Sequence, residues 1–188
     1  MTAPIFSVAL VHYPVYNKHR EVVTTAVTNL DIHDIARCSR TFGADRYYIV
    51  TPVEEQQKLV QKIALHWQSG WGAAYNPKRK AALDIVSIVP SVTNALADMA
   101  ARVGHKPKVV VTGAATQSKS IAAAELAEMM TGGDQSFLFL FGTGWGMTEE
   151  VFDTADYVLE PIKGPGEYNH LSVRSAVSIY MDRLFGRR

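Results

Sequence analysis

Short apolar runs alternate along this chain with segments of helical periodicity. Six runs are predicted as strands because they are strand-sized and rich in β-branched or aromatic residues: 5–11, 46–50, 84–89, 108–113, 137–142 and 156–160. Several are apolar without interruption, as in "FLFLFG" at 137–142, which is typical of strands covered on both faces of a parallel sheet. The pattern therefore predicts an α/β fold built on a parallel sheet.

Helices are predicted in the segments between and after these strands, at 31–42, 54–67, 91–103, 119–130, 147–154 and 171–185. The spacing is plainest in the third, where Val92, Leu96 and Met99 fall on one face. A length of 188 residues is enough for one hydrophobic core, and no repeat or linker divides the chain. A single domain over residues 1–188 is expected.

Composition excludes several classes of protein. The 19 basic and 18 acidic residues nearly cancel, so any nucleic acid must be bound by a local patch and not by a broad positive field. The single Cys38 excludes an intrachain disulfide and a Cys-based zinc cluster, and no metal site is predicted. No apolar run approaches the length of a membrane span, and the N-terminus lacks the basic start of a signal peptide. A cytoplasmic protein without membrane contact is expected.

The loops at the carboxyl ends of parallel strands are where α/β sheets bind ligands. The loop "GAATQSKS" at 113–120 has the first Gly, the Lys and the Ser of a phosphate-binding P-loop, but Ser118 stands where the second Gly is needed. The following strand also lacks an acidic residue to hold magnesium. A nucleotide-binding enzyme using 113–120 stays an alternative, and a polar loop before a helix is the simpler interpretation.

Two further loops contain the glycines that a close-fitting ligand requires. "GTGWGM" at 142–147 departs from the dinucleotide-binding G-x-G-x-x-G pattern because its third Gly comes one residue early. Its three glycines still indicate a turn whose backbone N–H and C=O groups are open to a ligand. The loop at 161–170 contains two Pro and two Gly and leads into the strongly patterned last helix.

Three segments, in order, resemble the signatures of the SPOUT superfamily, the knotted S-adenosylmethionine (SAM)-dependent RNA methyltransferases, in its SpoU-like branch. "TNLDIHDIARCSRTFGADRYYIV" (28–50) is similar to the first signature, "FLFGTGWGM" (139–147) to the second and "YNHLSVRSAVSIY" (168–180) to the third. Three ordered matches spread over nearly the whole chain are far more specific than any one of them. The pattern looks closest to a small bacterial family of RNA methyltransferases.

The resemblance implies a parallel-sheet SPOUT fold with a C-terminal trefoil knot, and SAM as the cofactor. In such enzymes three knot loops hold the methyl donor, mostly through main-chain atoms, with apolar side chains flanking the adenine. Carried over to this chain, the cofactor-binding residues are Gly113, Ala114, Gly142, Thr143, Gly144, Trp145, Gly146, Leu159, Glu160, Pro161, Ile162, His170, Leu171, Ser172 and Val173.

The resemblance also implies a catalytic Arg37, with Asp31 beside it. The SpoU-like pattern has an Asn six residues before that Arg, where this chain has Asp31, and an Asn two residues before Ser172, where this chain has His170. These departures leave open whether a ribose 2′-hydroxyl or a base nitrogen is methylated. Arg37 would act as a fixed cation near the acceptor, while a carboxylate base is offered by Asp31, Asp34, Glu160 and Glu167. A simple ion pair between Arg37 and a neighbouring Asp is the alternative.

The segment "HWQSGWGAAYNPKRKAAL" at 66–83 is not explained by the signatures. Aromatic rings stack on unpaired bases while Lys and Arg bind phosphates, so the segment predicts contact with single-stranded RNA, although an ordinary loop at the sheet edge is an equal alternative. The substrate-binding candidates are His12, Tyr13, Trp67, Trp71, Tyr75, Lys78, Arg79 and Lys80. The C-terminal Arg183, Arg187 and Arg188 are further phosphate contacts.

The expected partners are RNA, either tRNA or rRNA, and a second copy of the chain. SPOUT proteins usually pair two knots, and the apolar Ile179, Tyr180, Leu184 and Phe185 widen the stripe of the last helix beyond what one sheet is expected to cover. Such a homodimer would let Arg37 of one subunit reach the donor pocket of the other. A catalytically inactive SPOUT domain that binds RNA stays an alternative.

Overall fold

The computed structural model describes residues 4–69, 71–114 and 120–187, and within them seven parallel strands form one sheet. The strands of the chain are β1 (Ile5–Val11), β2 (Val15–Tyr16), β3 (Val22–Val23), β4 (Tyr47–Val50), β5 (Val86–Val89), β6 (Lys108–Val111), β7 (Ser120–Ile121), β8 (Ser136–Gly142) and β9 (Tyr157–Leu159). The order in the sheet is β5-β4-β1-β8-β6-β9-β7, and β2 and β3 form a separate antiparallel ribbon.

Eight helices fall within the described ranges and cover both faces of the sheet. They are α1 (Asn29–Thr41), α2 (Glu54–Gln68), α3 (Trp71–Tyr75), α4 (Pro77–Leu83), α5 (Val92–Val103), α6 (Ala123–Met130), α7 (Glu149–Asp153) and α8 (Val173–Phe185). Alternate residues of β1 feed two cores: Phe6, Val8 and Leu10 pack with α1, α6 and α8, while Ala9 and Val11 pack with α5 and α7. Burial on both faces explains why the central strands are continuously apolar.

The α/β prediction is confirmed, and all six predicted strands are present in the parallel sheet. One helix was placed too early: the prediction began at 119, but Ser120 and Ile121 form β7 beside β9, and α6 begins at Ala123. Lys119 lies outside the described residues. The ribbon of β2 and β3 was not predicted because two-residue strands carry no usable periodicity.

The interpretation of 66–83 as a loop was wrong, because α2 continues to Gln68 and α3 and α4 follow it. The side chain of Asn76 caps α4 by accepting a hydrogen bond from the Arg79 N–H, and Pro77 occupies the first turn, where its fixed φ suits a helix start. These start signals were present in the sequence and were outweighed by the glycines around them.

The wide apolar stripe of α8 is used largely within the chain itself. Tyr180 and Leu184 are buried, and the Phe185 ring stacks on Phe6 at 3.8 Å between centroids. Ile179, the fourth residue expected to extend the surface, lines an open cleft. The stripe therefore does not by itself indicate a dimer. Among the described residues, no helix combines the length and apolar character needed to cross a membrane.

Candidate functional site

The loops that follow β6, β8 and β9 begin at neighbouring positions, because these three strands are adjacent in the order β8-β6-β9. Parallel strands present their carboxyl ends at one edge, so the loops beginning at Thr112, Thr143 and Glu160 share that edge. A direct link joins the first and third loops: the Asn169 side chain donates to the Ala114 carbonyl at 3.1 Å. The three predicted cofactor-binding loops therefore lie at one edge of the sheet. Most of the P-loop-like segment at 113–120 lies outside the described residues.

Two open clefts flank the segment that leaves β9. One has a volume of about 260 Å³ and is lined by Ile162, His170 and Leu171 of the predicted cofactor set, together with Tyr168, Asn169 and Ile179. The other, of about 290 Å³, is lined by Glu160 and Pro161 with Arg183 and the start of α6. Leu159 is buried in the core, so it supports the loop from below and does not face either cleft.

The glycine turn at 142–147 packs against the ribbon of β2 and β3. The Trp145 N–H donates to the Tyr16 carbonyl, and the Tyr16 N–H donates to the Gly146 carbonyl, each at 2.9 Å. These two backbone groups are therefore not open to a ligand, contrary to the expectation for the whole turn. Gly146 has φ +99 with open space where a Cβ would be, so part of the turn does face a free volume.

His12 lies at the carboxyl end of β1, beside the glycine turn, and is fully buried. Its Nδ1 lies 3.0 Å from the Thr25 hydroxyl, which in turn lies 2.5 Å from the Thr143 hydroxyl and 3.5 Å from the His12 carbonyl. Thr143 Oγ1 also donates to the Val11 carbonyl at 3.0 Å. Nδ1 is thus the ring nitrogen that is hydrogen-bonded. In the described part of the chain, Nε2 has no hydrogen-bond partner.

This arrangement makes the free energy of unfolding depend on pH. Burial lowers the pKa of His12 from 6.5 to about 4, and the charge of Asp31 raises it only in part. Between these values the unfolded chain binds a proton that the folded chain does not, so stability is full above pH 6.5 and is lost as the pH falls towards 4. We expect a loss of about 3 kcal/mol over that interval, since each pKa unit is worth about 1.4 kcal/mol.

Urea unfolding at a series of pH values checks this contribution. His12→Asn removes the group, so the pH slope between 6.5 and 4 should be smaller than in the wild type by about 1.4 kcal/mol per pH unit. His105→Asn is the matched control, because His105 is exposed. Equal slopes for the wild type and His12→Asn would contradict the buried, neutral imidazole. Burial also means that His12 does not meet RNA at the surface in this conformation, whereas Tyr13 is 39% exposed.

The first turns of α1 and α8 meet through ion pairs that the sequence did not predict. Arg174 lies 3.6 Å from Asp31 and 3.6 Å from Asp34, and Asp31 also accepts a 2.6 Å hydrogen bond from the Thr28 hydroxyl. Asp31 is nearly buried. The carboxylates of α1 are thus engaged by Arg174, which stands two residues after Ser172 in the third signature.

Arg37 is exposed on α1, and none of the described carboxylates lies within ion-pair distance of it. The simple ion pair with a neighbouring Asp is therefore not observed, because Asp34 faces Arg174 instead. Arg37 and Arg79 both lower the pKa of His33, with burial as the larger cause, so two cations lie near that ring. The Arg37 guanidinium is therefore available to a phosphate or to a negative charge that develops during a reaction.

The aromatic candidates in 66–83 differ in their surroundings. Trp67 is half-buried, with the Arg79 guanidinium 4.5 Å above its ring and His33 at its edge. Trp71 and Tyr75 are each 72% exposed. Lys78 is exposed, and Lys80 pairs with Asp84 at 3.0 Å. No group of His, Cys, Asp and Glu suited to a metal ion occurs in the described ranges.

Comparison with known proteins agrees with this geometry. A family described as "SAM-dependent RNA methyltransferase" matches residues 5–186. A protein named "tRNA (guanine-N(1)-)-methyltransferase" from Oleidesulfovibrio alaskensis is 43% identical over 95% of this chain, and the chain spans only 41% of its length. A protein of unassigned function from Aquifex aeolicus is 37% identical over 96% of the chain and 88% of its own length.

Among solved structures, the SpoU methyltransferase AviRb from Streptomyces viridochromogenes, crystallised with its cofactor AdoMet, has the same fold. The TM-score is 0.60 at 14% identity, over 98% of this chain and 61% of that one. Identity this low shows the fold alone. The family match over almost every residue shows more: the chain belongs to the family of SAM-dependent RNA methyltransferases.

Proposed function

We propose that this chain transfers a methyl group from SAM to a nucleotide of RNA, and that the RNA is tRNA. The observation that carries the proposal is the meeting of the loops after β6, β8 and β9 at one sheet edge, in a chain that matches the family over residues 5–186. The naming of a 43% identical relative as a tRNA methyltransferase supports tRNA as the substrate class.

The cleft beside residues 162–171 fits the methyl donor. Ile162, Leu171 and Ile179 give it an apolar wall, which suits an adenine ring, and backbone groups of the same loop supply polar contacts. The glycine turn, which has open space beside Gly146, follows β8 and so lies at the same sheet edge as this cleft, two strands away. When bound, SAM supplies an electrophilic methyl group on a sulfonium, which becomes a neutral thioether as the methyl leaves.

The residues of this chain would then handle charge and protons at the acceptor. Arg37, free of a described carboxylate partner, stabilises negative charge that develops on the acceptor or its phosphate. Asp31 Oδ1 is 3.6 Å from Arg174, which is within ion-pair distance but longer than a hydrogen bond, so this oxygen can still accept a hydrogen bond from the acceptor while it is paired with Arg174. Its position at the start of α1 sets it within electrostatic reach of His12.

Calorimetry with SAM tests the donor cleft. We expect Leu171→Asp to weaken SAM binding by roughly tenfold or more, because a carboxylate would be desolvated against the adenine. Leu59→Asp is the matched control: Leu59 is 47% exposed and Leu171 48%, but Leu59 lies on α2, away from the cleft. ATP binding tighter than SAM would instead favour the nucleotide-binding alternative.

The same two variants test the activity. Incubation with SAM and unmodified tRNA, followed by mass spectrometry of nucleosides, should show one new methylated nucleoside with the wild type and Leu59→Asp and much less with Leu171→Asp. The mass spectrum separates a ribose 2′-O-methyl from a base methyl. RNA binding without any methyl transfer would favour the inactive RNA-binding alternative.

We further propose that the C-terminal segment forms a trefoil knot. In its support, β9 lies between β6 and β7 although it follows both in the chain, and Asn169 contacts Ala114 of the first loop. Tyr180 of α8 donates to the Glu160 carbonyl at 2.6 Å, which holds the last helix against the segment leaving β9.

We also propose that the protein is a homodimer. The supporting surface is the region where the starts of α1 and α8 meet, and not the apolar stripe of α8 alone. The Arg174 ion pairs bring the starts of α1 and α8 together, and exposed apolar residues lie beside them: Leu30 of α1 is 58% exposed, and Tyr168, in the segment before α8, is 80% exposed. Arg37 is seven residues after Leu30 and therefore lies on the same side of α1. If a second copy packs on these exposed apolar residues, Arg37 of one subunit comes close to the donor cleft of the other.

A further inference from the structure

Helix α3 is fixed to the end of α2 by a close glycine contact. A Cβ on Gly72 would stand 2.9 Å from the Trp67 ring and 3.1 Å from the His66 carbonyl, so only a glycine lets the two helices approach this closely. Trp67 is in turn held between Arg79 above and the edges of His33 and His66. The contact of Gly72 with Trp67 therefore fixes the inner side of α3 to the end of α2. We refer to Gly72, Trp67 and Arg79 as the anchor.

The outer side of α3 presents two aromatic rings together. Trp71 and Tyr75 are four residues apart, which places them on one helix face, and their rings stack at 4.7 Å with an angle of 17°. Each is 72% exposed, whereas aromatic side chains normally bury most of their surface. We refer to these two residues as the aromatic ridge.

The segment that carries the ridge is basic in sequence, although Lys58 pairs with Glu54 and Lys80 with Asp84, both just outside it. Between residues 56 and 83 the sequence has Lys58, Lys62, Lys78, Arg79 and Lys80 and no Asp or Glu, although the chain as a whole carries +1. Lys78 stands three residues after Tyr75, at the start of α4, and is exposed. An exposed lysine beside the ridge, in a segment without acidic residues, favours a polyanion as the ligand.

We infer that the aromatic ridge and Lys78 form the docking site for an unpaired stretch of the RNA substrate, with a base stacked on the ridge and a phosphate bound by Lys78. An exposed flat π-face accepts any unstacked base, and a neighbouring ammonium neutralises the backbone. A base inside a duplex has no free face, so the site selects loops, bulges or ends. The inference rests on the proposed function.

The structure also narrows the RNA contacts within 66–83. Trp67 is held beneath Arg79, Arg79 lies over that ring, and Lys80 pairs with Asp84. Trp67 and Arg79 belong to the anchor, so that ring does not offer a free face to a base. The Lys80 ammonium is already paired with a carboxylate. Lys80 therefore serves as the matched control for Lys78, since both are lysines of α4 and only one is tied to a carboxylate.

Fluorescence anisotropy with labelled oligouridylate, and with the same strand paired to oligoadenylate, tests the inference. The double variant Trp71→Ala/Tyr75→Ala should bind the single strand about 5- to 100-fold more weakly and the duplex as the wild type does, because only the single strand stacks on the ridge. Trp71→Phe/Tyr75→Phe should restore most of the single-strand affinity, since it keeps both π-faces.

Salt titration separates the phosphate contact. With the single strand, Lys78→Ala should reduce the magnitude of the slope of log affinity against log salt by about 0.7, Lys80→Ala by much less, and the aromatic variant not at all. Unchanged single-strand affinity in the aromatic variant would overturn the inference. If that variant also methylates tRNA at the wild-type rate, the proposed function stands without the ridge, whereas a wild type that binds SAM but no RNA would refute both.

Discussion

Gly144→Val is expected to destabilise the protein by about 3 kcal/mol or more, which lowers the midpoint of thermal unfolding by roughly 6–12 °C for a domain of this size. Gly144 has φ +60, a left-handed conformation that β-branched residues strongly avoid. Its Cβ would also stand 2.9 Å from the Tyr16 carbonyl and 3.3 Å from Thr25 Cγ2. The Tyr16 carbonyl is backbone that accepts from Trp145, so it cannot move aside without losing that hydrogen bond.

Comparing Gly146→Ala with Gly144→Ala separates the cost of backbone strain at positive φ from the cost of the steric contact made by an added Cβ. Gly146 also has positive φ, +99, but nothing lies within 4 Å of an added Cβ, so its alanine variant should lose only the conformational term of about 1–2 kcal/mol. Gly144→Ala should lose more, because it adds the contact with Tyr16 to a similar strain. Equal losses in the two alanine variants, measured by urea unfolding, would show that the ribbon does not press on the turn.

The contact changes the interpretation of the glycine turn. The sequence indicates a glycine turn whose backbone is open to a ligand, where a side chain at 144 would crowd the cofactor, whereas in the structure that side chain would first collide with the ribbon of β2 and β3. A loss of SAM affinity in Gly144→Val would therefore accompany loss of stability. Leu171→Asp, on the open wall of the cleft, is the cleaner test of SAM binding.

The sheet and its helices were predictable because their signals are local and periodic. Uninterrupted apolar runs such as 137–142 require burial on two faces, and this requirement alone indicates a parallel sheet with helices on both sides. Placing the glycine loops at one edge followed from the rule for carboxyl ends, and the structure confirms that β6, β8 and β9 are neighbours.

The parts that escaped prediction depend on contacts between distant residues. Thr25 meets Thr143 across 118 residues, and no spacing rule connects them. Arg174 reaches Asp31 across the two helix starts, so its partner is visible only in three dimensions. The sequence pattern predicts an apolar stripe on α8 wider than one sheet can cover, because no local signal indicates that Phe185 stacks on Phe6 of the first strand.

Arg37→Ala is expected to lower the rate of methyl transfer by roughly 100-fold or more while leaving the SAM dissociation constant unchanged, because the cation acts on charge that develops at the acceptor. Single-turnover kinetics with tRNA and calorimetry with SAM measure the two quantities. Arg37→Lys should recover part of the rate. Arg40→Ala is the matched control, since Arg40 is an exposed arginine three residues further along α1. A normal rate in Arg37→Ala would show that Arg37 takes no part in the chemistry.

Mixing two inactive variants tests whether each site draws on two subunits. Chains with Arg37→Ala keep the donor cleft, and chains with Leu171→Asp keep Arg37, so a shared site is whole at one of the two positions in a mixed dimer. Random exchange makes half of the dimers mixed, and about a quarter of the wild-type activity should return. If each site lies within one chain, every chain in the mixture is defective and no activity returns. Sedimentation equilibrium on the same samples must show a dimer, and an active monomer would refute both the dimer and the shared site, because Arg37 would then serve the cleft of its own chain.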